Sequence, residues 1–250
     1  FPGGVRAESG LRFLPNDKSN LAVAAALAFR RATGQTWKDL RISLTKRIPV
    51  CAGTAGGSSD AAAVLRGLNT LTGAGLSPQA LAKIGEEVGS DVPYCVLGGT
   101  ALAQGRGETL SPLPPLPDCF LVLCKPRFSI STPALFRTWD KAKRHLRPDT
   151  RGVIAALERG DLVGLAQRMF NVFEAVLPPH QHRDIEGIKT TLLQAGALGA
   201  AMSGSGPTVF GLFSQESAAQ KAVTILQEDY DEVYLTQPLP AHGVSCQIPV

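Results

Sequence analysis

The residues with the clearest chemical potential form one run, Pro49-Val50-Cys51-Ala52-Gly53-Thr54-Ala55-Gly56-Gly57-Ser58-Ser59. Glycines let a backbone approach an anion closely, and a loop of this kind can turn successive N–H groups toward it. The run feeds a helical pattern, whose N-terminus would add partial positive charge. Ser58 and Ser59 bring hydroxyls that can donate hydrogen bonds or touch a metal ion. The chemistry this suits is phosphate binding; read alone, the run is equally a helix start behind a flexible turn. A second group is Gly89-Ser90-Asp91-Val92-Pro93, a carboxylate at a helix exit before a proline expected to end the helix. By itself Asp91 is a turn residue. A third is Gly204-Ser205-Gly206-Pro207 among apolar residues, in isolation a tight turn between a helix and a buried strand. Glycine-rich turns that each adjoin a buried element point to one convergent anion site more readily than to unrelated turns.

Other chemistries find no support. No Gly-Lys-Ser/Thr triplet occurs, which excludes the Walker phosphate loop, and Gly53, Gly56 and Gly57 do not fit the dinucleotide spacing. The nucleophile elbow and the H-E-x-x-H zinc motif are absent. His145, His180, His182 and His242 do not form a ligand set; the closest two flank a position beside Pro178-Pro179, as in a solvated loop.

The elements that must position these residues are read from periodicity. Asn20 to Thr33 is an alanine-rich helix with cap-type residues from Asp17 to Asn20. Leu40 to Ile48 alternates as a strand feeding the loop, and Asp60 to Thr72 carries apolar residues at helical spacing. Ser77-Pro78 opens a helix ending near Gly89. The segment Ser111 to Pro117 is too rich in proline for helix or central strand and marks a boundary. Beyond it come a buried strand at Phe120 to Cys124 and helices near Thr132 to Lys143, Gly152 to Glu158, Leu162 to Asn171 and His182 to Ala195. Thr208 to Phe213 and Glu232 to Thr236 read as strands around a helix at Ser217 to Leu226. Helices and strands alternate without strict βαβ regularity, so the class is α+β.

The 250 residues are 44% hydrophobic and 18% charged, ample for a buried core and unlike a disordered chain. No apolar run reaches the roughly 18 residues of a membrane span, and no secretory signal heads the chain. The net charge of +4 is dispersed, which favours small anionic ligands over nucleic acid. Cys51, Cys95, Cys119, Cys124 and Cys246 include no CxxC, so free, buried thiols in a reducing compartment are expected, with Cys51 a small apolar filler in its loop.

The run from Lys46-Arg47-Ile48-Pro49-Val50 to Gly56-Gly57-Ser58-Ser59-Asp60-Ala61-Ala62 resembles the phosphate-binding motif of the GHMP small-molecule kinases. Gly89-Ser90-Asp91-Val92-Pro93-Tyr94, Gly98-Gly99-Thr100-Ala101 with Gly105-Arg106-Gly107-Glu108, and Met202-Ser203-Gly204-Ser205-Gly206-Pro207-Thr208 resemble further motifs of that family. The likeness runs from about Asn20 to Phe213. It implies an α+β, two-domain fold. The ATP-binding domain over 1–111 would be ribosomal S5 domain 2-like and shortened at its start. A proline-rich boundary at 112–117 would lead to a ferredoxin-like α/β domain over 118–250. It implies an ATP-dependent kinase with Mg²⁺, acting in the cytoplasm as a monomer or homodimer, without nucleic-acid or membrane partners. The small-molecule substrate implied is a cytidine diphosphate-linked methylerythritol, phosphorylated on its 2-hydroxyl.

By the same resemblance Pro49 to Ser59 wrap the ATP phosphates, and Asp91 accepts or orients the hydroxyl proton. Asn20 and Lys46 fall near the adenine, Thr132 and Phe136 near the cytidine end, and Gly204, Ser205 and Gly206 in the third motif. No metal ligand is assigned; Ser59 is the candidate hydroxyl. The family's Ala-Lys-x-Asn-Leu strand and Gly-Tyr-His segment do not occur in this chain. Usual domain sizes then imply roughly sixty further residues before Phe1. Without that lysine a large loss of rate is expected, and without those strands an exposed sheet edge and poor stability. Two alternatives stay open: a GHMP kinase for homoserine or mevalonate, and a non-catalytic nucleotide-binding fragment.

Overall fold

A computed structural model describes residues 4–142 and 147–239. They divide into two units, one running to Val50 and again over Ala55–Pro112, the other comprising Cys51–Thr54 and Leu113–Pro238.

In the first unit, β1 (Val5–Ser9) and β2 (Leu40–Leu44) pair in parallel and are joined through α1 (Leu21–Thr33). Asn20 caps α1 through its side chain, and Gly34 ends the helix in the left-handed region at φ 69°. α1 packs on α2 (Gly56–Thr72). Alanines at 22, 25, 26, 61 and 62 are fully buried on these helices, so backbones approach closely around Phe29 and Leu65. α3 (Pro78–Glu86) starts at the expected Ser77 cap. α4 (Val92–Leu97) follows, and β3 (Ala101–Gln104) and β4 (Thr109–Pro112) form an antiparallel pair.

The second unit carries a four-stranded antiparallel sheet in the order β6-β7-β5-β8. β5 is Phe120–Lys125, β6 Gly199–Met202, β7 Val209–Phe213 and β8 Glu232–Thr236. With α8 (Pro179–Gln194) and α9 (Glu216–Leu226), the chain order is β5-α8-β6-β7-α9-β8, the split βαβ arrangement of ferredoxin-like folds. α5 (Thr132–Lys141), α6 (Thr150–Glu158), α7 (Leu162–Ala166) and a 3₁₀ turn at Val172–Val176 are inserted between β5 and α8. Strand alternation buries both faces: Val122 and Cys124 join the core with Ile185, Ile188 and Phe213, while Leu212 joins Ala156, Leu157 and Leu165.

Several expectations are corrected. α2 begins at Gly56, not Asp60, because the glycines are packing positions: a Cβ on Gly56 would lie 3.0 Å from Ile48 Cγ2, and one on Gly57 3.2 Å from Leu21 Cδ1. Pro93 opens α4 instead of ending a helix, since a first-turn residue needs no N–H. The helix from Leu162 stops at Ala166 instead of Asn171. β1, β3, β4 and β6 were not legible; β6 reads Gly-Ala-Ala-Met and has no β-branched residue. Cys51 is exposed and not an apolar filler, whereas Cys119 and Cys124 are buried; all three and Cys95 are free. Cys246, His145, His242 and the expected helix end at Lys143 lie outside the described residues. Among the described residues no helix is long and apolar enough to cross a membrane.

The seat of α4 gives a test. A Cβ on Gly85 in α3 would come within 2.8 Å of Val92 Cγ1. Gly85→Ala is expected to destabilise the protein by about 1–3 kcal/mol through overpacking, read from the denaturation midpoint.

Candidate functional site

The loop before α2 alternates in hand. Cys51 (φ 54°), Gly53 (φ 74°) and Ala55 (φ 52°) are left-handed, while Ala52 and Thr54 are not. Alternation of this kind gathers successive N–H groups into an anion-binding concavity, and two non-glycine residues holding it store about 1 kcal/mol or more each. At the start of α2, Ala55 occupies the cap position and offers no side-chain hydrogen bond. α1 and α3, in the same unit, are capped by Asn20 and Ser77. The first helical bond of α2 is Ser59 N–H to Ala55 C=O at 2.9 Å. The N–H groups of Gly56, Gly57 and Ser58 precede it and have no helical acceptor. No acidic side chain stands in the first turn to neutralise the positive pole. Pro49 and Val50 lead into the loop half-buried; Ser58 is buried and Ser59 half-buried.

Lys46 ties the strand exit to this helix. Its Nζ lies 2.6 Å from Asp60 Oδ2 and donates to Gly56 C=O at 3.3 Å, with the side chain only 7% exposed. Asn20 Oδ1 accepts from Ala22 N–H at 3.0 Å, and its Nδ2 donates to Pro15 C=O at 2.8 Å. Both polar ends expected beside adenine are thus committed to holding α1 and α2.

Asp91 stands at the cap position of α4 but caps nothing, and it is exposed. Among the described residues no hydrogen bond or ion pair engages its carboxylate. The far end of α4 is anchored instead: Arg66 Nη1 donates to Cys95 C=O at 2.7 Å and to Val96 C=O at 3.4 Å. Gly107, at φ 116°, passes so close that a Cβ there would sit 3.5 Å from Asp91 Oδ1. Burial, then the charge of Asp91, pushes the Cys95 thiol up to about 11 against the opposing pull of Arg66, so it is neutral near pH 7. The arrangement anchors the helix that carries Asp91, and among the described residues nothing engages its carboxylate oxygens.

In the second unit, residues 51–54 pack on the glycine turn at 203–206. Ser203 Oγ donates to Gly53 C=O at 2.9 Å, and Thr208 N–H donates to Ala52 C=O at 3.2 Å. A Cβ on Gly53 would fall 2.3 Å from Ser203 O, so only glycine fits. Gly204 and Gly206 are left-handed at φ 54° and 72°. Thr132 Oγ1 lies 2.7 Å from Ser205 Oγ. Phe136, one turn further along α5, is 50% exposed and meets Phe173 edge-on at 4.9 Å. The structure therefore brings together Thr132, Phe136, Ser205 and the Ala52-Gly53 part of the loop.

Sequence reasoning missed Asn171, Glu174 and Lys189. Asn171 Nδ2 donates to Met202 and Gly204 C=O, and Glu174 accepts from Met202 N–H while pairing with Lys189 at 2.6 Å. The one available signal was a cap-type Asn with Glu three residues on. Burial alone would lower the Lys189 pKa, but hydrogen bonds to Glu174 and Glu186 outweigh it and raise it above 10.5. Among the described residues no group of three or more His, Cys, Asp and Glu could hold a metal ion.

Comparison with known proteins places these features in a family. Residues 20–99 match the model for the GHMP kinases N terminal domain, and residues 153–232 match that for GHMP kinases C terminal. The chain is 44% identical over 235 residues to the 4-diphosphocytidyl-2-C-methyl-D-erythritol kinase of Enterococcus faecalis, covering 94% of this chain and 82% of that protein. Its likeness to the kinase of the same name from Moorella thermoacetica is also 44%, over 94% of this chain and 83% of the relative. Among solved structures, a 4-(cytidine 5'-diphospho)-2C-methyl-D-erythritol kinase superposes with TM-score 0.76 at 30% identity, over 94% of this chain and 82% of the other. A homoserine kinase from Cytophaga hutchinsonii gives 0.77 at 23% identity, over 96% and 84%, a likeness of fold.

The raised Lys189 pKa fixes a pH dependence. Its contribution to stability is complete below the unfolded value near 10.5 and is lost as pH rises through the higher folded value. Wild-type stability, measured by denaturant titration above pH 10, is expected to fall more steeply than that of Lys189→Met.

Proposed function

This chain belongs to the GHMP kinase family, an ATP-dependent small-molecule kinase, and on that premise we propose that it phosphorylates the 2-hydroxyl of 4-diphosphocytidyl-2-C-methyl-D-erythritol, in the non-mevalonate route to isoprenoid precursors. The observation that carries phosphoryl transfer is the uncapped start of α2 behind a loop of alternating hand. The substrate is supported by the names of relatives that align along nearly the whole chain. The homoserine-kinase likeness concerns the fold, so that substrate is the second reading.

In this reading Pro49 to Ser59 hold the ATP phosphates through backbone N–H groups. Asp91 takes the proton of the 2-hydroxyl on a carboxylate oxygen; the freed oxygen bonds to the γ-phosphorus while its bond to the β–γ bridging oxygen breaks, and ADP departs. A carboxylate without a partner among the described residues suits that role, since none of their contacts must be broken before it receives the proton. Most of the acceleration comes from alignment and charge stabilisation. Thr132 and Phe136 receive the cytidine end, Phe136 through its exposed ring, and Gly204, Ser205 and Gly206 line the substrate side. Asn20 and Lys46 stand near the adenine, on the elements they also fix.

Mg²⁺ usually keeps phosphate oxygens and one or two protein oxygens as ligands, and the Ser59 hydroxyl would fit that donor set. When bound it would neutralise phosphate charge. Residues 1–111 would serve as the ATP-binding domain and 118–250 as the second domain, joined by 112–117. The free thiols among the described residues suit a reducing, cytoplasmic setting, and the enzyme would be a monomer or homodimer acting on a diffusible substrate.

Asp91→Asn is the direct test. ADP release with the cytidine substrate is expected to fall roughly 10²–10⁴-fold in kcat. The KM for ATP and the thermal midpoint should stay near wild type, because among the described residues no hydrogen bond engages the carboxylate. Wild-type turnover of homoserine or mevalonate in place of the cytidine substrate would overturn the substrate assignment; undiminished turnover in Asp91→Asn would overturn the role of Asp91.

A further inference from the structure

The carbonyls of Met202 and Gly204 face one side chain. Asn171 Nδ2 donates to Met202 O at 2.7 Å and to Gly204 O at 2.8 Å, so both N–H bonds of its amide are spent on this turn. Its Oδ1 accepts from Phe173 N–H at 2.9 Å. Glu174 Oε1 accepts from Met202 N–H at 2.7 Å, and its other oxygen pairs with Lys189. Phe173 itself supports Phe136 edge-on. The short segment from Asn171 to Glu174 therefore sets both the glycine turn and the aromatic face.

The consequence lies in the Gly204–Ser205 peptide. In a trans, planar peptide the C=O and the following N–H point in opposite directions. With Gly204 O held on Asn171, the Ser205 N–H points away from it, and no acceptor for that N–H occurs among the described residues. Glycine at 204 makes rotation of this peptide cheap, so its direction must be imposed from outside. The Ser205 hydroxyl lies 2.7 Å from Thr132 Oγ1, one helical turn before Phe136 on α5.

We propose that Asn171 is a positioning residue for phosphoryl transfer: by holding the Met202 and Gly204 carbonyls it presents the Ser205 N–H as a donor to a phosphate oxygen. This rests on the kinase reading above. That oxygen belongs either to the nucleotide triphosphate or to the diphosphate of the second substrate, and the two sources are separable. The side chain of Asn171 need not touch either one.

The test compares wild type with Asn171→Asp, which keeps the size of the side chain and removes both donors. In ¹⁵N-labelled protein, the Ser205 amide resonance is followed on adding Mg²⁺ with β,γ-imido-ATP, or CDP alone. The wild-type resonance is expected to move downfield with one probe, which identifies the source, and to lose that shift in Asn171→Asp. The same variant should lose roughly 10- to 100-fold in kcat, with its thermal midpoint within a few degrees of wild type. If Asn171→Asp fails to fold, Asn171→Ser, which cannot span both carbonyls, takes its place. A Ser205 amide unmoved by both probes, an equal shift in the variant, or unchanged kcat would overturn the proposal. Turnover of homoserine or mevalonate in place of the cytidine substrate, together with a Ser205 shift that is lost in Asn171→Asp, would refute the substrate reading and leave the positioning role standing.

Discussion

A helix begun without a side-chain cap gives up about 1 kcal/mol relative to one begun with Ser, Thr, Asp or Asn. α2 begins without one, on an alanine held in the left-handed region. The sacrifice leaves first-turn N–H groups and the positive pole of a long helix unspent. Such groups can bind an anion without reorganisation, as the proposed triphosphate cradle requires. The loop can hold this shape only because glycine stands where any Cβ would strike Ser203 O, 2.3 Å away. The cost of an open helix start and a strained loop must be offset elsewhere.

The compensation is visible in the charged groups nearby. Lys46 is almost buried, and its ammonium spans Asp60 and the Gly56 carbonyl, fixing the helix that the missing cap leaves loose. A buried pair of this kind adds little net stability, because desolvation consumes most of the attraction, but it allows few alternative geometries. Arg66 does comparable work at the C-terminal end of α4, where its guanidinium meets carbonyls of the last turn. Asp91, at the opposite end, is then placed by its helix alone, and among the described residues nothing engages its oxygens.

The second unit solves a different problem, the support of a flexible glycine turn. The split βαβ sheet buries Val122, Cys124, Val209 and Phe213 against α8 and α9 and supplies a rigid base. The turn after β6 extends beyond that base, and its conformation is set by side chains of the inserted segment. Asn171 takes its carbonyls, Glu174 takes a backbone N–H, and Lys189 holds Glu174. Rigid placement of a site by surrounding hydrogen bonds is the usual condition for precise catalysis.

The sequence by itself determined the helices with strong periodicity or clear caps, such as α1 and α3, the apolar strand β5, and the glycine-rich loop that runs into α2. These signals are local, carried by residues within one or two turns of each other. It also determined the family, since motifs in a fixed order survive without reference to packing. Only the tertiary structure decided that Gly56 opens α2, because the reason is contact with Ile48 and Leu21, not propensity. The same holds for Pro93, which could end one helix or begin the next until α4 was placed. β6 has no strand composition and exists because β7 offers it a partner. Asn171 looks like an ordinary surface residue in one dimension, and Lys46 stands out only as part of a motif; their contacts are with groups 31 and 14 positions away, a separation that no local pattern encodes.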